Sequence, residues 1–323
     1  MQFSQMDNQD KLLKTIRQHS RSASLIDEIA AILNISYDAA HRRISQKSKF
    51  SIDETIALCS HYSISMDSLF GNSNKVVVEK TAEIKNIANL TDYFKDSAQK
   101  LEAYKNYPDS VMYYSAKDIP LFHTISGTLL SKFKLYVWLD LLSGQQHEKF
   151  ENFTVSGSLL EHSQKLNNVY KNVEVKEIWN DTTINSTIQQ IYYFFQSRLL
   201  TLENAMHVCD DLKAILHEVE QKCSKNDTGY HLYYNELLLL NNNVLLSSVK
   251  QKSLFVPYTM LGYFITGDND TCQSTEDFFN YQIKNSKSLN QSGTRDRKLF
   301  FNRMHQKIDF YIQRMNSELD YNF

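Results

Sequence analysis

Residues 26–45 read IDEIAAILNISYDAAHRRIS, and the triplet Asn34, Ile35, Ser36 in the middle decides how the first part of the chain folds. Before the triplet, Ile26, Ile29, Ala30 and Leu33 recur at helical spacing; after it, Ala40 and Ile44 stand one turn apart. Two helices joined by so few residues need a sharp corner whose first residue accepts left-handed backbone, and Asn is the usual substitute for Gly there. Ile35 then plugs the corner and Ser36 caps the second helix. Ala30 and Ala40 are small where two crossing helices must approach closely.

Working outward, the same spacing continues on both sides. Leu12, Leu13 and Ile16 mark a helix before the quoted stretch. Ile52, Ile56, Ala57 and Leu58 mark one after it, and Met66, Leu69 and Phe70 a short fifth turn. Ser24 with Asp27, and Ser51 with Glu54, are N-cap arrangements with an acid three residues on. No glycine occurs before Gly71 and no proline before Pro108, so nothing interrupts these helices from within. Residues 1–71 therefore form a five-helix domain, 72–89 a linker that opens on small polar residues, and 90–323 a larger domain.

The short corner, its small alanines and the apolar-plus-Ser ending resemble the helix-turn-helix of the phage-repressor and Cro-like superfamily, over about 60 residues. The chain has Asn34 where that family favours Gly, and Ile44 falls one position after the usual last buried residue. The resemblance implies a lambda-repressor-like fold that binds double-stranded DNA, with the third helix in the major groove. Carried over residue by residue, Ser36, Tyr37, Asp38, His41, Arg42 and Ser45 face the bases and the nearby backbone. Arg42 is placed for a bidentate contact to guanine, while Arg43, Lys47 and Lys49 contact phosphates. Charge agrees locally: from Ala39 to Ile52 there are four basic residues (Arg42, Arg43, Lys47, Lys49) and no acidic one.

Whole-chain composition bounds the rest. Lys and Arg number 35 against 37 acids, which excludes a generally basic, histone-like binder and confines any DNA contact to a patch. The 42% hydrophobic content over 323 residues is enough for a sizeable core. Cys59, Cys209, Cys223 and Cys272 lie far apart with no CxxC pair, which points to buried thiols in a reducing compartment. No apolar leader and no membrane-length apolar run is visible, so a cytoplasmic protein is expected. Frequent Asn, Lys, Ile and Tyr suggest a bacterial source.

Residues 90–323 carry no family resemblance. Spacing predicts helices at 90–107, from Asp118 to about Leu142, at 156–170, 182–201, 203–224, 274–290 and 294–319. Strands are predicted at 110–116 and across 230–266, where Asn241-Asn242-Asn243 reads as a hairpin corner and Pro257 as a mark that the third strand is an edge or starts late. The expected class is mainly α, with an α-rich (α+β) second domain holding a small antiparallel sheet. Tyr113, Tyr114, His123 and Trp138 are the candidate lining of a ligand pocket. His207, Asp211 and Glu218 share a helix face but are spaced too widely for a compact metal site, and no GxGxxG, Walker, GxSxG or HExxH motif occurs. Neither catalysis nor a cofactor is expected. The layout implies a one-component transcription regulator acting as a homodimer, with a small-molecule or protein effector for the body. The rival is a scaffold whose helical head binds another protein.

Overall fold

The computed structural model describes residues 8–20, 22, 24–70, 75–143, 148–225, 229–237 and 242–320. The chain is mostly helical and divides into two units, Met1–Val77 and Val78–Phe323.

The first unit contains α1 (Asn8–His19), α2 (Leu25–Leu33), α3 (Tyr37–Ile44), α4 (Ile52–His61) and α5 (Met66–Phe70). Its core is Leu12, Leu13 and Ile16 from α1, Ile29 from α2, Ala40 from α3, and Leu58, Cys59 and Tyr62 in and after α4. Ser24 accepts the Asp27 N–H at the start of α2. Ser51 and Glu54 form a reciprocal capping box on α4.

The second unit is built on one mixed sheet. Its strands are β1 (Glu79–Lys80), β2 (Val111–Ala116), β3 (Glu174–Trp179), β4 (Tyr230–Tyr234), β5 (Val244–Ser247), β6 (Lys252–Thr259), β7 (Gly262–Thr266) and β8 (Lys287–Ser288). Among the described residues they lie in the order β1-β7-β6-β5-β2-β3-β4-β8. β2, β3 and β4 are parallel neighbours, and every other pairing is antiparallel. Parallel neighbours need long crossovers. Helices α7 (Leu129–Ser143) and α8 (Gly157–Lys171) connect β2 to β3, and α9 (Asn185–Gln196) and α10 (Leu202–Ser224) connect β3 to β4. Side chains alternate between the faces of a strand. Met112, Tyr114 and Ala116 accordingly join the main core, with side chains of α6 (Ile87–Glu102), α7 to α10 and α12 (Thr294–Asp320). Tyr113 turns the other way, to Phe279 and Cys272 of α11 (Asn269–Lys284). No helix among the described residues is long and apolar enough to cross a membrane.

The structure bears on several sequence expectations. The small sheet is mixed rather than antiparallel, because it includes β3 (EVKEIW), which pairs in parallel with β2 and β4, has no simple alternation and is buried on both faces toward its end. The stretch around Asn242 is no hairpin corner: β4 pairs with β3 and β8, whereas β5 pairs with β2 and β6. Asn242 does have left-handed backbone at φ 45, and Asn241 lies outside the described residues. Pro257 sits in β6 beyond the stretch that pairs with β5, so among the described residues β7 alone flanks it, and beside a register shift its missing N–H is tolerated there, as an edge position allows. The helix expected from Asp118 breaks into a 3-10 turn, Leu121–Thr124, and α7, with Gly127 at φ 85 between them. The linker is shorter than 72–89 as well, since Glu79 and Lys80 pair with β7 and α6 starts at Ile87; residues 71–74 lie outside the described residues.

Candidate functional site

The corner between α2 and α3 takes the conformation its composition asks for. Asn34 is left-handed (φ 49, ψ 47), and the Ile35 N–H closes onto the Ala30 carbonyl at 3.0 Å. Ser36 accepts the Ala39 N–H at 3.3 Å and so caps α3. Ala40 is fully buried and Ile44 packs against the same core, which turns Tyr37, Asp38, His41 and Arg42 outward. Tyr37 is 52% exposed. The Arg42 guanidinium makes no hydrogen bond or ion pair among the described residues, although its carbonyl accepts the Ser48 N–H at 3.1 Å, whereas the Ser45 hydroxyl is occupied by the His41 carbonyl at 2.7 Å. Lys47 and Lys49 are exposed just beyond the helix.

Arg43 has a different place from the one expected. Its Nε donates to Glu54 Oε2 at 2.9 Å and its second terminal nitrogen to Glu54 Oε1 at 2.6 Å, a two-point clamp between α3 and α4. Its other terminal nitrogen reaches the Ala39 carbonyl at 3.3 Å. The hydrogen bond from Arg43 holds the Glu54 carboxyl below its ordinary pKa, despite partial burial that works in the other direction. Arg43 therefore braces the helix, and the phosphate-contact set loses one member. Glu54 lies eleven residues away on another helix, which spacing within α3 does not reveal.

A second brace went unread in the sequence. Gln9 of α1, only 7% exposed, donates through Nε2 to the carbonyls of Arg43 at 2.7 Å and Ser48 at 3.0 Å. Its Oε1 accepts the Phe50 N–H at 3.2 Å. One carboxamide thus fixes the end of α3 and the loop after it. A polar residue one step from the apolar stripe of α1 carries no signal of this kind.

In the second unit the four candidate pocket residues part company. Tyr114 and Trp138 line a cavity of about 460 Å³ beyond the carboxyl ends of β2 and β3. Tyr113 is under α11, 3.4 Å from Glu276 Oε1, and His123 is buried beside Glu177. The cavity wall includes Lys117, Asp118, Lys134 and Gln190. Lys134 Nζ donates to Asp118 Oδ2 and to Gln190 Oε1, both at 3.0 Å.

Glu177 is the least expected residue of the core. It is fully buried on β3. Its carboxylate accepts from Tyr170 at 2.7 Å, Tyr230 at 2.8 Å and the Trp179 indole at 2.8 Å, with His123 Nε2 at 3.1 Å. Burial works to raise its pKa, but the facing imidazole and the phenol donors outweigh burial and leave it below the usual carboxylate range. His207, Asp211 and Glu218 do not converge: Asp211 accepts the Leu130 N–H at 2.8 Å, at the start of α7. Among the described residues no group of three or more His, Cys, Asp or Glu could hold a metal ion. All four cysteines are buried, and burial pushes the Cys209 and Cys223 thiols up to about 12, far from the thiolate a nucleophile requires. The chain matches no protein family, no curated protein and no solved structure.

Proposed function

We propose that the chain is a transcription regulator whose first unit is a lambda-repressor-like head that lays α3 in the major groove of operator DNA. The observation that supports the reading is the left-handed corner at Asn34, followed by a short helix with Tyr37, His41 and Arg42 on its exposed face, the Arg42 guanidinium having no partner among the described residues. Arg42 reads a base, Ser36, Tyr37, Asp38, His41 and Ser45 border the groove, and Lys47 and Lys49 meet phosphates. One helix of this length reads only a few base pairs, so two copies act together on a two-fold site. The second unit supplies the dimer contact and receives an effector in the cytoplasm. A coupling of about 1–3 kcal/mol between effector and heads changes operator occupancy by roughly 5–150-fold.

Gel-shift of the full chain against random duplex DNA, followed by sequence selection, tests the reading. A two-fold consensus is expected. Binding too weak to select any sequence would overturn it.

The alternative, a head that binds protein, draws on Ile52 and Ile56. They stand one turn apart on α4 and are 76% and 46% exposed. An apolar contact of that kind is insensitive to salt, whereas phosphate binding weakens steeply as salt rises.

A further inference from the structure

We propose that the cavity beyond the ends of β2 and β3 binds a small organic anion, whose carboxylate or phosphate sits against Lys134 and whose body bears hydroxyl or amide groups. In sheets with parallel strands, ligands settle in the crevice outside the carboxyl ends, where neighbouring connections diverge. Here β2 ends at Ala116 and β3 at Trp179, and the wall includes residues just beyond them, Lys117 and Thr182. A volume of about 460 Å³ lies within the usual range for small-molecule sites.

The charges select the sign. Among the described residues Asp118 is the one acid on the wall, against two ammonium groups, Lys117 and Lys134. Asp118 is largely engaged: Oδ2 takes Lys134, and Oδ1 takes the Ile119 N–H and the Thr187 hydroxyl, each at 2.9 Å. It holds Lys134 in place, and three of its roughly four acceptor positions are taken by the protein itself. Lys134 has only 1% of its side chain exposed, and burying an ammonium is costly unless acceptors surround it. Its three donors meet two acceptors among the described residues. The third is left for the cavity that all three residues line. Helix α9 begins at the same wall. Its N-cap, Ile184, offers no side-chain bond, and the Ser186 N–H meets no acceptor among the described residues. An oxyanion between Lys134 and this helix start satisfies both.

The remaining wall suits a polar body on an apolar seat. Gln189 presents a carboxamide, which both donates and accepts, and Asn242, whose Oδ1 already takes the Lys117 and Asp118 N–H groups at 2.9 and 3.0 Å, offers its NH2. The apolar part includes Trp138 and Leu261. Leu261 holds left-handed backbone at φ 58, an unfavourable state for Leu that is retained at the tip of the β6–β7 hairpin beside the cavity.

The chain has two tryptophans, which makes the test direct. Trp138 lines the cavity, and Trp179 is fully buried beside Glu177. Tryptophan emission of the full chain, without DNA, is followed during titration with glucose 6-phosphate, adenosine 5′-monophosphate and citrate. Glucose and adenosine serve as uncharged controls. A saturable change with at least one organic anion and none with the controls is expected; citrate against the two phosphates tells which oxyanion is preferred. Lys134→Met should weaken that binding by about tenfold or more, the loss typical of a charged hydrogen bond. Lys117→Gln, on an exposed side chain that folding does not need, should weaken it by a factor of about three at low salt. No saturable change with any of the three anions, or unchanged affinity in the folded variants, overturns the proposal. DNA binding takes no part in either outcome.

Discussion

Two adjacent arginines at the end of α3 have opposite jobs, and substitution separates them. Arg43 is clamped to Glu54, so Arg43→Ala strands a partly buried carboxylate and should lower the stability of the first unit by about 1–3 kcal/mol. Urea denaturation followed by circular dichroism reads that loss. Arg42→Ala should leave the urea midpoint unchanged and weaken selected DNA sequences by about 1–3 kcal/mol, with little effect on random DNA. Equal effects of the two changes on stability would mean that the roles are misassigned. Glu177 permits a pH argument. Its folded pKa is depressed, so its contribution to stability is present above the unfolded carboxylate pKa, near 4.3, and is lost as pH falls through the lower folded value. Glu177→Gln removes that acid dependence and faces an amide NH2 toward hydroxyl and indole donors. A loss of about 3–5 kcal/mol at pH 7, shrinking toward pH 3, is the expected result of denaturation at the two pH values.

At the scale of elements, α2, α3 and their corner were legible because the signal is local. Asn34, Ile35 and Ser36 act within a few residues, and the structure realises each role. The crossover helices were legible for the same reason, from apolar spacing. What escaped depends on distant partners. β3 is a strand because β2 and β4 flank it, and its EVKEIW sequence does not announce that. Tyr113 and His123 looked equivalent to Tyr114 and Trp138 as aromatic lining. Strand alternation sends Tyr113 to the other face, and Glu177, 54 residues away, claims His123. The cavity cations were missed because Lys117 and Lys134 are unremarkable until Asp118 and α9 close around them. Asn34 itself carries a prediction. Asn34→Gly keeps the left-handed corner and should leave the melting temperature within a few degrees, whereas Asn34→Val forces a β-branched residue into that backbone. The expected cost of the latter is about 1–2 kcal/mol, read by thermal melting.

For the whole molecule, salt dependence separates the two readings of function. With Arg43 withdrawn, a dimer uses Lys47 and Lys49 twice, four phosphate contacts at about 0.9 each, so the slope of log affinity on log salt should be near −4. Fluorescence anisotropy with labelled duplex across a salt series measures it, and a slope near zero favours the protein-binding head. The contact made by Gln9 has a consequence for any attempt to retarget the protein. Gln9 grips main-chain carbonyls and an N–H, groups that every residue other than proline supplies. If α3 reads DNA as proposed, Tyr37, His41 and Arg42 can therefore be exchanged for a different reading alphabet without touching the bracket that aims it.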